Sequence, residues 1–248
     1  MAQLCTKTLE YRATDGTLLE GYVAYLDLPG RIRPGILISH DWLGVGDFVR
    51  KKAEQLAALG YVALAADVYG KDIRPTSVPE ASGLTRQYRA DRPALRGRIR
   101  AAYDTLCALD QTDAKHIVAM GYCFGGTTAL ELARSGANLV GTASFHGGLS
   151  NPNPQDTRQI RGKVLIMHGA DDPFVPPEEV MEFKHAMQEA GIDMRFIAYP
   201  HAVHGFTNPD ADPSQNKGLV YNAEADQASW REFEAFLAEV APLPASMG

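Results

Sequence analysis

The chain has 248 residues, of which 45% are apolar and 22% are charged, with a net charge of −6. This is the composition of an ordinary globular protein with enough residues for one large hydrophobic core. The negative charge argues against a nucleic-acid or membrane-surface partner, and no stretch approaches the ~20 apolar residues of a membrane-spanning helix. The amino-terminal residues lack the apolar core of a secretory signal. We therefore expect a cytoplasmic protein whose three cysteines, Cys5, Cys107 and Cys123, are reduced.

Short apolar runs alternate with amphipathic segments of helix length along the chain. The apolar runs predict strands at Leu19–Leu26, Gly35–Ser39, Val62–Ala66, Ile117–Met120, Leu139–Phe145, Val164–Met167 and Met194–Tyr199. Helical spacing predicts helices at Phe48–Leu59, Ala94–Leu109, Thr127–Arg134, Glu178–Ala190 and Ala223–Val240. No repeat or linker divides residues 1–248, so we expect a single α/β domain. Its central sheet should be mostly parallel with helices on both faces, and reactive residues should follow directly after strands.

One strand leads into a pattern typical of a nucleophile. After Ile117–Met120 comes Gly121-Tyr122-Cys123-Phe124-Gly125-Gly126, and a helix follows. Strand, Gly-x-Cys-x-Gly and helix form the nucleophile-elbow pattern, with sulfur in place of the usual serine oxygen. The glycines leave room in a tight turn, and a helix N-terminus favours the anionic thiolate, which is the nucleophilic form. The pattern predicts Cys123 as a nucleophile; the alternative is a buried cysteine that acts as a small hydrophobic residue.

Two later strands end beside candidates for an acid and a base. Val164–Met167 leads to the adjacent Asp171 and Asp172, and Met194–Tyr199 leads to His201 and His204. Elbow hydrolases present nucleophile, acid and histidine in this order, because histidine can accept and return a proton while the acid orients it. The residues alone do not decide between the two aspartates or between the two histidines.

A metal site is the competing interpretation of the same segment. His201-x-x-His204 with Asp210 and Asp212 could in principle bind a cation, but the spacing lacks the usual His-Glu-x-x-His pattern, so no metal is expected. Three other histidines also follow strands and are expected to be structural: His40, His146 and His168.

Taken together, these motifs resemble the dienelactone hydrolase (carboxymethylenebutenolidase) family of α/β-hydrolases. The resemblance is carried by His40–Gly44, Ala65–Gly70, Gly121–Gly126, Asp171–Pro176 and His204–Phe206. It implies the α/β-hydrolase fold, a small-molecule ester or lactone as substrate, and no cofactor. It also implies Asp172 as the acid and His204 as the base, with the backbone N–H groups of Trp42 and Phe124 as oxyanion donors.

The chain departs from the family pattern at two places. Where the family has a glutamate that helps to activate the thiol, this chain has the shorter Asp41; the alternative is a loop aspartate that binds its own backbone. Family members that act on dienelactone carry an arginine after the catalytic histidine, and here that stretch has none. The arginine-rich segment Arg86–Arg100 could compensate, although a solvated helix face is the simpler interpretation.

Three functional alternatives therefore stay open at this stage. The first is a lactone-selective hydrolase, the second is a broad carboxylesterase or thioesterase, and the third is a hydrolase-fold protein that binds a ligand without turnover. Segment Lys71–Ala90 contains two prolines and shows little periodicity at its start, so it is a candidate lid.

Overall fold

A central sheet of eight strands organises the computed structural model, which describes residues 2–211, 214 and 217–244. The strands are β1 (Leu4–Arg12), β2 (Leu18–Leu26), β3 (Arg33–Ser39), β4 (Val62–Ala66), β5 (Thr112–Tyr122), β6 (Gly141–Phe145), β7 (Lys163–Gly169) and β8 (Met194–Tyr199). Their order in the sheet is β1-β2-β4-β3-β5-β6-β7-β8. Strands β3 to β8 pair in parallel, whereas β2 is antiparallel to both of its neighbours. The predicted mostly parallel sheet is confirmed.

Helices cover both faces of the sheet. They are α1 (Asp47–Leu59), α2 (Val78–Ala90), α3 (Arg92–Cys107), α4 (Phe124–Arg134), α5 (Pro177–Glu189) and α6 (Ala223–Val240). Side chains of α1 and α6 pack against one face, and those of α2, α3, α4 and α5 pack against the other. Neighbouring residues of β3 show the alternation that this requires: Leu37 belongs to one core, and Ile36 and Ile38 belong to the other.

Besides a short 3-10 helix at Pro154–Gln159, the structure adds one strand and one α-helix to the predicted elements. Strand β1 lies at the edge of the sheet, where only Tyr11 is buried, so its sequence carries a weak apolar pattern. Helix α2 begins at a Ser-x-x-Glu sequence: Ser77 Oγ accepts the backbone N–H of Glu80 at 3.4 Å, and Glu80 in turn accepts the N–H of Thr76 at 2.9 Å. This capping pattern was the signal that could have revealed the helix.

Most predicted boundaries agree with the structure to within three residues. The exception is β5, which begins at Thr112, five residues before the predicted strand. Gly60 caps α1 in the left-handed conformation, and Asn222 caps α6 through its side chain. Within the described ranges, no helix is long and apolar enough to cross a bilayer.

Candidate active site

Cys123 occupies a sharp turn between β5 and α4, at the carboxyl edge of the sheet. Its backbone has φ 54° and ψ −117°, a conformation that side chains rarely adopt, and its N–H donates to the Phe145 carbonyl at 3.0 Å. The flanking glycines leave the space for this turn. A Cβ on Gly121 would lie 2.2 Å from the backbone of Gly125, and a Cβ on Gly125 would lie 2.1 Å from the Ser39 carbonyl oxygen. The turn therefore requires glycine at both positions.

A buried histidine–aspartate pair lies beside this turn. His204 Nδ1 is 2.8 Å from Asp172 Oδ2, and the side chains are 4% and 0% exposed. The other carboxylate oxygen of Asp172 accepts the N–H of Phe174 at 2.8 Å, which fixes the plane of the carboxylate. The neighbouring candidates form a different and solvated contact: His201 Nδ1 is 3.9 Å from Asp171 Oδ2, with side chains 93% and 61% exposed. The structure thus brings Asp172, and not Asp171, to His204.

Cys123 and His204 form the other half of the arrangement. Burial disfavours the imidazolium, but the Cys123 sulfur and the hydrogen bond that His204 donates to Asp172 outweigh it and raise the pKa of His204 to about 10. The side chains of Cys123 and His204 line the same cavity. A basic imidazole that shares a cavity with the sulfur is the arrangement that a cysteine nucleophile requires.

The loop after β3 carries one of the two expected oxyanion donors. His40 Nε2 accepts the N–H of Val68 at 3.3 Å, so its Nδ1–H donates to the Asp41 carbonyl at 2.6 Å. The hydroxyl of Tyr69 donates to the Trp42 carbonyl at 3.2 Å. His40 is therefore structural, as expected, and it holds this loop in place.

The two candidate oxyanion donors are the backbone N–H groups of Trp42 and Phe124. Trp42 lines the cavity that contains Cys123, and Phe124 is the first residue of α4 directly after it. Neither N–H donates a hydrogen bond within the part of the chain that the structure describes. Both are therefore available to a developing negative charge on a substrate oxygen.

Asp41 lies in the same cavity, partly buried. Its Oδ1 accepts the N–H of Leu43 at 2.8 Å, which is the self-contained loop contact that the sequence allows as one alternative. Burial raises the pKa of Asp41 to about 6, and the Leu43 N–H only partly offsets this rise. A direct role toward the thiol stays a prediction.

Two cavities, of about 330 and 290 Å³, meet at Trp42, Cys123, His204 and Leu219. The larger one combines the acidic Asp41 and Asp210 with apolar side chains such as Leu43, Phe48 and Val78. The smaller one is lined by Ser82, Thr85, Arg89 and Phe174. Helix α2 and the residues just before it contribute to both walls, so the segment that the sequence offers as a candidate lid shapes the space around the thiol.

The arginine-rich segment serves several purposes. Arg92 and Arg96 pair with the buried Glu131, Arg98 pairs with Asp15, and Arg100 pairs with Asp104. Arg86 is exposed. Arg89 alone of the six lines the smaller cavity, and it makes no hydrogen bond or ion pair with any residue in the described ranges. The solvated-face interpretation therefore fits part of the segment, and Arg89 is the member that can meet a substrate.

The remaining candidate ligands do not assemble. In the described ranges, no group of three or more His, Cys, Asp or Glu side chains could hold a metal ion. Asp212, which the metal interpretation invoked, lies outside those ranges. His168 is buried and its pKa is lowered by burial, whereas His116 and His185 are at the surface. Cys5 and Cys107 are free, partly buried thiols.

The sheet, the turn at Cys123 and the strand-end loops define an α/β-hydrolase. The chain belongs to the dienelactone hydrolase family, whose model matches residues 19–241. A solved protein named m3DLH is 38% identical with a TM-score of 0.92, covering 96% of this chain and 99% of that one. A dienelactone hydrolase-like promiscuous phosphotriesterase from metagenomic libraries is 35% identical with a TM-score of 0.91, covering 97% and 100%. Dienelactone hydrolase from Anabaena variabilis, at 18% identity, shares the fold, with a TM-score of 0.72 and coverage of 96% and 99%.

Proposed function

We propose that this protein hydrolyses small-molecule esters or lactones with Cys123 as the nucleophile, His204 as the base and Asp172 as its orienting acid. The observation that carries the proposal is the buried 2.8 Å contact between His204 and Asp172 beside a cysteine in a strained turn. Membership of the dienelactone hydrolase family supports the reaction class. No cofactor takes part in the proposed reaction.

The first half-reaction forms a thioester. The Cys123 thiolate attacks the acyl carbon, a C–S bond forms, and the carbonyl electron pair moves to the oxygen. The N–H groups of Trp42 and Phe124 stabilise that oxyanion; one such donor typically contributes ~10²–10³ in kcat. As the intermediate collapses, the bond to the leaving oxygen breaks, and the His204 imidazolium gives its proton to the alkoxide or enolate.

The second half-reaction releases the acid. Neutral His204 takes a proton from water, the hydroxide attacks the thioester carbon, and the C–S bond breaks to restore the thiolate. Asp172 stabilises the imidazolium that forms and keeps the Nδ1–H tautomer, so that Nε2 faces the reacting groups. Asp41 would at most assist from the edge of the cavity, because one of its oxygens is already bound to Leu43 N–H.

Other functions account less well for the same residues. A catalytically silent binding protein has no use for a buried histidine–aspartate pair beside a thiol. A broad carboxylesterase or thioesterase would use the same groups and would differ only in substrate range. The resemblance to a promiscuous phosphotriesterase adds a third substrate class, because the same thiolate and N–H donors could act on a phosphoryl group.

Leaving-group selectivity tests the reaction class. A thiolate is a good leaving group, so the tetrahedral intermediate expels sulfur before a poor leaving group departs. We expect steady turnover of p-nitrophenyl acetate and of a dienelactone, and at least about 10³-fold lower kcat/KM for the matching p-nitroanilide. An anilide that turns over as fast as the ester would contradict the proposed mechanism. The rate of hydrolysis of a phosphotriester such as paraoxon, assayed under the same conditions, tests the third substrate class.

Arg89 is expected to select for anionic substrates. Because it lines the cavity next to Cys123 without a partner in the described ranges, it can pair with a substrate carboxylate. In Arg89→Gln, the KM for a carboxylate-bearing ester should rise about fivefold, the gain of a partly solvated ion pair, while the KM for its neutral counterpart stays within about twofold. Arg86→Gln is the matched control, because both arginines are exposed residues of α2 but Arg86 lines neither cavity. Equal effects of the two variants on both esters would rule out this role.

A further inference from the structure

His146 is a buried histidine that the proposed mechanism does not use. It follows β6 directly, is 4% exposed and has φ 42°, in the left-handed region that a non-glycine residue seldom occupies. Its backbone N–H donates to the Met167 carbonyl at 2.8 Å, so the residue stays within the sheet ladder. Its ring lies 5.1 Å from that of His204 and 5.2 Å from that of Phe206, measured between centroids. Unusual backbone geometry of this kind is concentrated at functional sites.

Both ring nitrogens of His146 have partners, and these partners define the tautomer. Nδ1 is 3.2 Å from the backbone nitrogen of Cys123, and a backbone N–H can only donate. Nδ1 must therefore be an unprotonated acceptor, and the ring proton lies on Nε2. Nε2 is 2.8 Å from Thr207 Oγ1, to which it donates. The ring thus connects the N–H of the proposed nucleophile with a hydroxyl three residues after the proposed base.

The surroundings keep this imidazole neutral. Burial and the neighbouring charge of His204 lower the pKa of His146 well below its usual value. Protonation would place an Nδ1–H donor against the Cys123 N–H and would break the contact. Within the described residues, the groups that face the ring are the imidazoles of His204 and His168, the Tyr122 and Phe206 rings and the Thr207 hydroxyl, and none of them supplies a carboxylate partner.

We infer that His146 is a positioning residue: its hydrogen bonds to Cys123 N–H and Thr207 Oγ1 fix the position of the Cys123 turn relative to the loop that carries His204. The inference rests on the proposed function, because it is the proposed reaction that requires this relative position. Both ends of the connection lie next to reacting groups: one fixes the backbone from which the thiol projects, and the other fixes the loop that carries the imidazole. His146 and Thr207 also line the larger cavity, but the role inferred for His146 acts through these hydrogen bonds and not on the reacting atoms.

Thr207→Val tests the connection with little change in shape. The substitution removes the acceptor of the Nε2–H, so the ring can adopt the other tautomer and leave Cys123 N–H bound to the Phe145 carbonyl alone. We expect kcat for p-nitrophenyl acetate, corrected for active sites by the burst amplitude, to fall about tenfold while KM stays within about twofold. Thr207→Ser retains the hydroxyl and should recover most of the loss. Thr142→Val is the control, because Thr142 is a fully buried threonine of β6 whose hydroxyl has no partner in the described ranges.

A double-mutant cycle separates a connected unit from two local effects. His146→Asn keeps a short acceptor near the Cys123 N–H and accepts a left-handed backbone, but it cannot span the distance to Thr207. Adding Thr207→Val to His146→Asn should therefore lower kcat no further. Additive losses would show that the two residues act independently, and would overturn the inference.

The tautomer is observed directly by NMR of the wild-type protein labelled with ¹⁵N-histidine, with His146→Asn to assign the signals. We expect His146 to remain the Nε2–H tautomer from about pH 5 to 9, and Thr207→Val to populate Nδ1–H. An Nδ1–H tautomer in the wild type, or titration near the ordinary histidine pKa, would refute the inference. Neither result depends on which residue is the nucleophile. If Cys123→Ala is inactive and Thr207→Val is fully active, the inference fails and the proposed function stands.

Discussion

Replacing Cys123 by alanine should lower kcat/KM for p-nitrophenyl acetate by at least ~10⁴, the scale on which hydrolases lose activity without their nucleophile. The reason is structural: Cys123 is the central residue of the strained turn at the N-terminus of α4, and it lines the same cavity as His204. The burst of p-nitrophenol should disappear together with steady-state turnover. Circular dichroism and thermal melting should show a folded protein, because alanine fits wherever the Cys123 side chain fits.

Cys107→Ala is the matched control for this substitution. Cys107 is also a free, partly buried thiol, and it lies at the end of α3, away from both active-site cavities. Its substitution should leave the burst amplitude and kcat within about twofold of wild type. If Cys123→Ala instead retained more than a tenth of wild-type kcat/KM, the reaction would use another nucleophile, and the proposed mechanism would be wrong.

The second large effect is expected at His204. His204→Ala removes the group that pairs with the sulfur and protonates the leaving oxygen, so kcat/KM should fall by about 10³- to 10⁴-fold, as for the base of a catalytic triad. The remaining activity should rise with pH, because without the imidazolium the thiolate forms only as alkali removes its proton. Rate measurements on p-nitrophenyl acetate between about pH 5 and 10 would show this dependence.

The chain supplies an internal comparison for this test. His201 lies three residues before His204, and Asp171 lies one residue before Asp172. These two side chains form a second histidine–aspartate contact, but both are mostly exposed. His201→Ala should therefore retain wild-type kcat/KM within about twofold. A loss at His201 as large as that at His204 would mean that the loop as a whole, and not the buried contact with Asp172, sustains catalysis.

Much of the arrangement could be predicted because the sequence carries local signals for it. The apolar runs revealed the central strands, and the pattern around Cys123 revealed the turn, because a strand, two glycines and a helix leave few other local structures. Local sequence signals could not decide between Asp172 and Asp171. Adjacent residues have almost the same sequence context, and only the tertiary structure determines which one turns inward to meet His204.

Features that depend on packing between distant segments were not predicted. Helix α2 lines both cavities, yet its apolar pattern is weak because only Ala81 and Tyr88 are buried. His146 was expected to be structural in a general sense, but its two partners lie 23 and 61 residues away along the chain. No local pattern reports such contacts. The six arginines of the α2–α3 segment look alike in sequence, and only the fold separates Arg89 from those that pair with carboxylates.

The most direct test of the central claim is to trap the acyl group during turnover. A rapid acid quench of enzyme and p-nitrophenyl acetate, followed by tryptic digestion and mass spectrometry, locates the acetyl group. The three cysteines fall in separate tryptic peptides, and Cys123 lies in the one that spans residues 116–134. We predict a transient acetyl group on Cys123 that forms at the rate of the burst and decays at the rate of steady-state turnover. A wild-type enzyme that turns over with no label on that peptide, or with a kinetically competent label elsewhere, would contradict the proposal that Cys123 is the nucleophile.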